Sequence, residues 1–317
     1  MRIHYRVIGE QIEIIRCFGA DPQIVLPERI EGLPVVRTAA YAFSDRKGAE
    51  EEDVRIFETE GHRMFGDSGS LLAGGTVESV SFPDTMEKIG RYVFYGCRNL
   101  RELSFSDRLA DIGSGAFTGC RSLCRLKANL TGGEKTCVKE ILGELWQRID
   151  VTLLREGEEA RLVFPEHYEE AVENTPARIL FTQHHGSGNN YRQCFYNREA
   201  DYRKYDALFY LAKAQDKTGV LTDLAFSRLM YPVGLTADAE AEYESYVREH
   251  QREVLEYLTD REEMPMLREM AKRDLWERGA LDDAIDHAAR KGRREVLSFL
   301  MDEKHRCFPV KRKRYEL

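Results

Sequence analysis

The sequence predicts a multi-domain α+β protein: an N-terminal β-solenoid of stacked repeats, a small α+β segment, and a C-terminal all-α helical-repeat domain. Three observations carry that prediction. Residues 77–123 hold one unit written twice without a gap, so that Phe82, Ile89, Gly90, Phe94, Cys97 and Leu100 recur as Phe105, Ile112, Gly113, Phe117, Cys120 and Leu123. A fixed period in the twenties belongs to solenoids, in which each unit buries its apolar face against its neighbours. From residue 205 onward the apolar spacing changes to that of helices. Between the two regions, short alternating stretches are broken by turn residues.

Composition limits the classes of function. The chain has 317 residues, 42% apolar and 32% charged, with a net charge of −8. That fits a soluble globular protein with ample core material. No run approaches the roughly eighteen apolar residues of a membrane span, and no basic stripe favours nucleic acid. The opening MRIHYRVIGEQIEII alternates instead of forming a secretory signal. The expected location is therefore cytoplasmic, or exported and surface-associated if a leader was removed. Seven cysteines, most within apolar patterns, read as free thiols of a reducing compartment.

In order, residues 1–18 read as a hairpin turning at Gly9-Glu10. Residues 24–43 are a first, longer repeat: Leu26-Pro27 corresponds to Phe82-Pro83, Tyr41 to Tyr92 and Phe43 to Phe94, with an insertion around Gly32 and Pro34. Residues 44–76 read as a diverged repeat with a surface loop: a charged run at 47–53, a short strand at 54–57 and a Gly/Ser-rich segment at 66–75. A functional lid is the alternative for that loop.

In the two clean repeats, Val80 and Phe82, like Leu103 and Phe105, form a short strand with one face inward. Asp84 and Asp107 suit a turn, and Gly90 and Gly113 a positive φ. Stacking then sets Ser79, Glu102 and Arg125 in one outward row and Ser81, Ser104 and Lys127 in the next. This polar face is either a partner-binding surface or a merely solvated sheet. Cys97 and Cys120 fall on the equivalent inward position, which favours packed thiols over redox or metal chemistry.

These units resemble bacterial surface-antigen-type (BspA-like) leucine-rich repeats. The likeness is carried by Phe82-Pro83, Ile89-Gly90, Phe94, Cys97 and Leu100, then by Phe105, Ile112-Gly113, Ala116-Phe117, Cys120 and Leu123. It covers residues 1–130 and implies binding or adhesion, not catalysis.

Residues 131–204 form the α+β segment. Val138, Ile141, Leu142, Leu145 and Ile149 have the helical spacing of a cap for the solenoid. Residues 150–164 read as a hairpin about Gly157, 165–172 as a short helix, 177–182 as a strand and 183–190 as a loop. Residues 205–305 follow as helices over 206–214, 221–230, 237–259, 266–276, 281–290 and 294–303, and 306–317 as a basic tail. The last pair, AIDHAARKGRREVLSFL, turns at Lys291-Gly292 and resembles an ankyrin-type helix pair over residues 262–304. REVLEYL (252–258) echoes it at a spacing other than the ankyrin one.

His184, His185 and Cys194 are the metal candidates, without the spacing of a closed zinc site. Gly186-Ser-Gly188 lacks the continuation of a phosphate loop. The tail residues 311–314, LysArgLysArg, are either a solvated end or a phosphate or acidic-partner contact. Tyr191, Phe195, Tyr196, Tyr202, Tyr205, Phe209 and Tyr210 form an aromatic cluster, read as a junction core or, if exposed, a recognition surface. The expectation is a non-enzymatic protein–protein interaction or scaffold module without cofactor. It would bind a protein partner through Ser79, Ser81, Glu102, Ser104, Arg125 and Lys127 and the groove between the halves. The alternative is a metal-binding or hydrolytic domain within residues 130–235.

Overall fold

A computed structural model of the chain describes residues 1–46, 53–59, 69–174 and 179–309. Most of the charged run at 47–53, the start of the Gly/Ser-rich segment and the tail at 311–314 lie outside the described residues. The chain forms two compact units, residues 1–211 and 212–317.

The first unit opens on the expected hairpin, β1 (Arg2–Ile8) and β2 (Gln11–Gly19), with Gly9 at φ 63° in the turn. There follow β3 (Gln23–Val25), β4 (Arg29–Ile30) and β5 (Leu33–Thr38). The insertion is the tight β4–β5 hairpin, turned by Glu31 and Gly32 at positive φ. β6 (Arg55–Glu58) pairs with β1, and β7 (Ser70–Leu71) with β2. The repeats supply β8 (Ser79–Ser81), β9 (Lys88–Ile89), β10 (Glu102–Ser106), β11 (Asp111–Ile112) and β12 (Arg125–Leu130).

Each coil contributes one strand to each of two sheets. One sheet runs β11-β9-β5-β2-β1-β6. The other runs β3-β8-β10-β12, in parallel and in register, so that Val80, Leu103 and Leu126 meet in one buried row. Between the sheets, Phe43, Phe94 and Phe117 stack at ring-centroid distances of 5.3 and 5.6 Å. The Cys97 thiol donates to the Phe43 carbonyl and the Cys120 thiol to that of Phe94, so each cysteine is tied to the preceding coil. Burial pushes the Cys97 thiol up to about 12 and that of Cys120 higher still, which leaves both as inert packing groups.

Gly90 and Gly113 do not take the positive φ that the sequence suggested. They are glycine because backbone stacks on backbone at that place. A Cβ on Gly113 would lie 2.4 Å from the carbonyl carbon of Gly90, and one on Gly90 2.3 Å from the carbonyl oxygen of Ala39. Positive φ falls instead at Gly96 and Gly119, one residue before each buried cysteine.

The repeat spelling stops at Asn129, but the sheet does not. After a short helix, α1 (Val138–Gly143), β13 (Ile149–Arg155) pairs parallel to β12 and turns into the antiparallel β14 (Glu158–Phe164). Helical spacing over 138–149 therefore yields less than two turns of helix and then a strand. The segment still caps the last coil. Glu144 accepts the Phe117 amide at 3.0 Å, and the Gln147 side-chain amide donates to the carbonyls of Cys120 and Leu123.

Residues 165–172, expected as a helix, hold instead the start of β15 (Tyr168–Asn174), which pairs with β16 (Ile179–His185). The expected loop at 183–190 is thus partly strand and partly α2 (Gly188–Tyr191). The small hairpin β17 (Phe195–Tyr196) and β18 (Glu199–Ala200) leads to α3 (Tyr202–Ala207), after which comes α4 (Phe209–Gln215).

The second unit contains α5 (Thr218–Met230), α6 (Ala237–Glu249), α7 (Gln251–Arg261), α8 (Met264–Lys272), α9 (Arg278–Lys291) and α10 (Arg294–Cys307). The single helix expected over 237–259 is broken at His250, whose backbone leaves the helical region and whose ring stacks on Tyr246. Arg273 ties three helices together, bonding to Glu240 and Glu244 of α6, Glu269 of α8 and the Leu229 carbonyl of α5.

Three of these helices end in the same left-handed corner. Glu262, Asp274 and Gly292 have φ of 56, 53 and 69°, and the amide after each reaches back to Leu258, Met270 and Ala288. Only Gly292 takes that conformation without steric cost. Asp274→Gly is therefore expected to stabilise the second unit by about 1 kcal/mol in urea unfolding. A destabilised variant would mean that the Asp274 side chain contributes more than its backbone strain costs.

Candidate functional site

The parallel sheet presents its polar face as two rows. One consists of Gln23, Ser79, Glu102, Arg125 and Asp150, and the other of Val25, Ser81, Ser104, Lys127, Thr152 and Arg161. All six residues singled out from the sequence lie in these rows, on neighbouring strands about 4.8 Å apart. Beneath them, Leu103, Phe105, Leu126, Ala128, Val151 and Leu153 are buried.

Gln23, Val25, Asp150, Thr152 and Arg161 were not anticipated. Asp150 follows Arg125 by more than the repeat period, which hides it from a search at fixed spacing. The alternation of Ile149, Val151 and Leu153, like that of Leu103 and Phe105, was the available signal.

Most charges on this face are already neutralised. Arg125 Nε bonds Glu102 at 2.8 Å, Arg148 bonds Asp150 at 2.9 Å and Arg161 bonds Glu159 at 2.6 Å. The Arg125–Glu102 pair, at 56% and 37% side-chain exposure, contributes little stability. At one end of the face Asp107 accepts from the Thr131 hydroxyl and the Gly132 amide. Burial opposes its charge, but these donors prevail and hold the carboxyl below its usual value.

Of the metal candidates, His185 and Cys194 do not come together, and the side chain of His184 lies outside the described residues. His185 stacks on Tyr168 at 4.5 Å and lies 3.3 Å from Glu170, whereas Cys194 is buried, its thiol pushed up to about 12 by burial. Among the described residues no group of three His, Cys, Asp or Glu is placed to hold a metal ion. Gly186 and Gly188 serve packing. A Cβ on Gly188 would lie 2.0 Å from the Pro165 carbonyl oxygen, and one on Gly186 2.5 Å from that of Glu166.

The aromatic cluster divides. Tyr191, Phe195, Tyr205 and Phe209 are buried, and Phe164 of β14 packs against Phe195 and Tyr205. Tyr196 and Tyr210 are exposed. The Tyr205 hydroxyl donates to the Val163 carbonyl at 2.7 Å and accepts the Val163 amide at 2.8 Å, in the manner of a neighbouring strand.

Beside it lies a group that sequence reasoning missed. Arg192 is buried and, among the described residues, faces no carboxylate. Its guanidinium donates to the carbonyls of Leu142, Leu145, Gln147, Pro165 and Gly188, at 2.7–3.3 Å. Burial pulls its pKa down to about 10, which keeps it charged at neutral pH. Nothing in the local sequence distinguishes it from a surface arginine.

Residues 70–137 match the family model described as "BspA type leucine rich repeat region (6 copies)". Among solved structures, a leucine-rich cell surface protein of Faecalibacterium prausnitzii A2-165 matches at 16% identity and a TM-score of 0.27. The match covers 41% of this chain and 34% of that one, so the chain spans about a third of that protein's length. A leucine-rich-repeat protein of T. pallidum matches at 23% identity and a TM-score of 0.22, over 48% of this chain and 79% of that one. No curated protein matches the chain.

Proposed function

We propose that this chain, whose residues 70–137 are BspA-type leucine-rich repeats, is a non-enzymatic interaction module that captures a protein partner on the polar face of its parallel sheet. The observation that carries this reading is the in-register presentation of Ser79, Glu102 and Arg125 beside Ser81, Ser104 and Lys127. A surface built on stacked strands is rigid before binding, so little ordering entropy opposes association. Leucine-rich repeats are in general protein-interaction modules. No helix among the described residues is long and apolar enough to cross a membrane.

The test is charge reversal at three exposed or half-exposed positions, Glu102→Lys, Arg125→Glu and Lys127→Glu, made together. Partner capture from native lysate by the full chain is expected to fall at least about tenfold. Thermal unfolding should be nearly unchanged, because surface substitutions stay within about 0.5 kcal/mol. Undiminished capture of the same partner by the folded triple variant would remove the sheet face from consideration.

A further inference from the structure

On that reading of the face, we propose that its partner presents a carboxylate, held by Lys127 together with the hydroxyl of Ser104 or of Thr152 beside it. In register across the sheet, Lys127 has Ser104 on one neighbouring strand and Thr152 on the other. Every other charged side chain in the two rows has an ion-pair partner: Glu102 with Arg125, Asp150 with Arg148 and Arg161 with Glu159. Among the described residues Lys127 has none, although it is exposed. Nor, among the described residues, do the hydroxyls of Ser81, Ser104 and Thr152 have a hydrogen-bond partner within the chain.

Lysine on a strand commonly protects an open sheet edge from pairing. That does not explain Lys127, because β12 lies inside the sheet, with β10 on one side and β13 on the other. The rows also contain no aromatic ring, and their apolar residues are Val25 and, opposite Asp150 on β14, the buried Val163. The face is thus poor in the buried aromatic anchors of apolar interfaces and offers donors instead. An ammonium and the hydroxyl on the next strand supply two donors to one acceptor group, and a carboxylate has an oxygen for each. Glu102 and Asp150, the acids in the adjoining row, are neutralised by Arg125 and Arg148, which reduces their repulsion of an incoming anion. The net charge of −8 gives no long-range attraction, so selection acts at contact.

The experiment is fluorescence anisotropy with the full chain at about 50 mM salt. The probes are labelled peptides of about ten residues, with alternating Glu and Gly, Gln and Gly, or Lys and Gly. The Glu peptide is expected to bind best and to weaken at least about tenfold in Lys127→Glu, with Lys127→Gln intermediate. Preference for the Gln or Lys peptide, with an affinity that still responds to Lys127→Glu, would overturn the carboxylate assignment and keep the face as the binding surface. Indifference of all three peptides to Lys127→Glu and to the triple variant would overturn both.

Discussion

Arg192→Met is expected to destabilise the first unit by about 2–4 kcal/mol. The arginine supplies five carbonyls from three separate segments. Without it, Leu142 and Gly188 each keep a backbone donor, from Leu145 and from residue 192 itself. The carbonyls of Leu145, Gln147 and Pro165 lose the donor the guanidinium gave them, and each stripped buried acceptor costs about 1 kcal/mol or more. Methionine recovers part of this, since no charge then has to be desolvated. Arg192→Lys keeps the charge but presents three donors in place of five and should fall between the two. Urea unfolding followed by tryptophan fluorescence reads the effect. A loss below about 1 kcal/mol for Arg192→Met would show that water replaces the guanidinium without penalty.

The second large effect is expected at Gly90. Gly90→Ala places a methyl 2.3 Å from the Ala39 carbonyl oxygen and 2.5 Å from the Ala40 nitrogen. Both are backbone atoms of the preceding coil, so no side-chain rotation relieves the clash. A loss of about 3 kcal/mol or more is expected, in the range of severe overpacking. Gly32→Ala is the matched control. Its Cβ meets nothing within 4 Å, and its φ of 81° is strained for alanine, which costs about 1 kcal/mol. If the two variants lose equal stability, dihedral strain and not coil spacing governs the glycines of this solenoid.

Gly90 also shows what the sequence could and could not convey. Its recurrence at Gly113 marks a place where only glycine fits, which is legible from one chain. Whether the cause is a positive φ or the approach of another backbone is a three-dimensional fact. The same limit explains residues 168–174, where Tyr168, Ala171 and Val172 have helical spacing yet form a strand. In a stretch so short, pairing with 179–185 outweighs local periodicity. The repeats were legible because every stacked position recurs, in rows as in cores. The additions at Asp150 and Thr152 were not, because the chain departs from its period while the sheet continues. Arg192 was least visible of all: four of its five carbonyls lie 27 to 50 residues away in sequence.

The Tyr205 hydroxyl has a consequence beyond its two bonds. A sheet built by adding identical coils has no intrinsic length, and an exposed last strand invites another copy to continue it. At Val163 both outward-facing backbone groups are already engaged by one side chain from outside the sheet. Tyr205 therefore stands in for one residue of a further strand, and at this position of β14 the place a neighbouring chain would take is already filled.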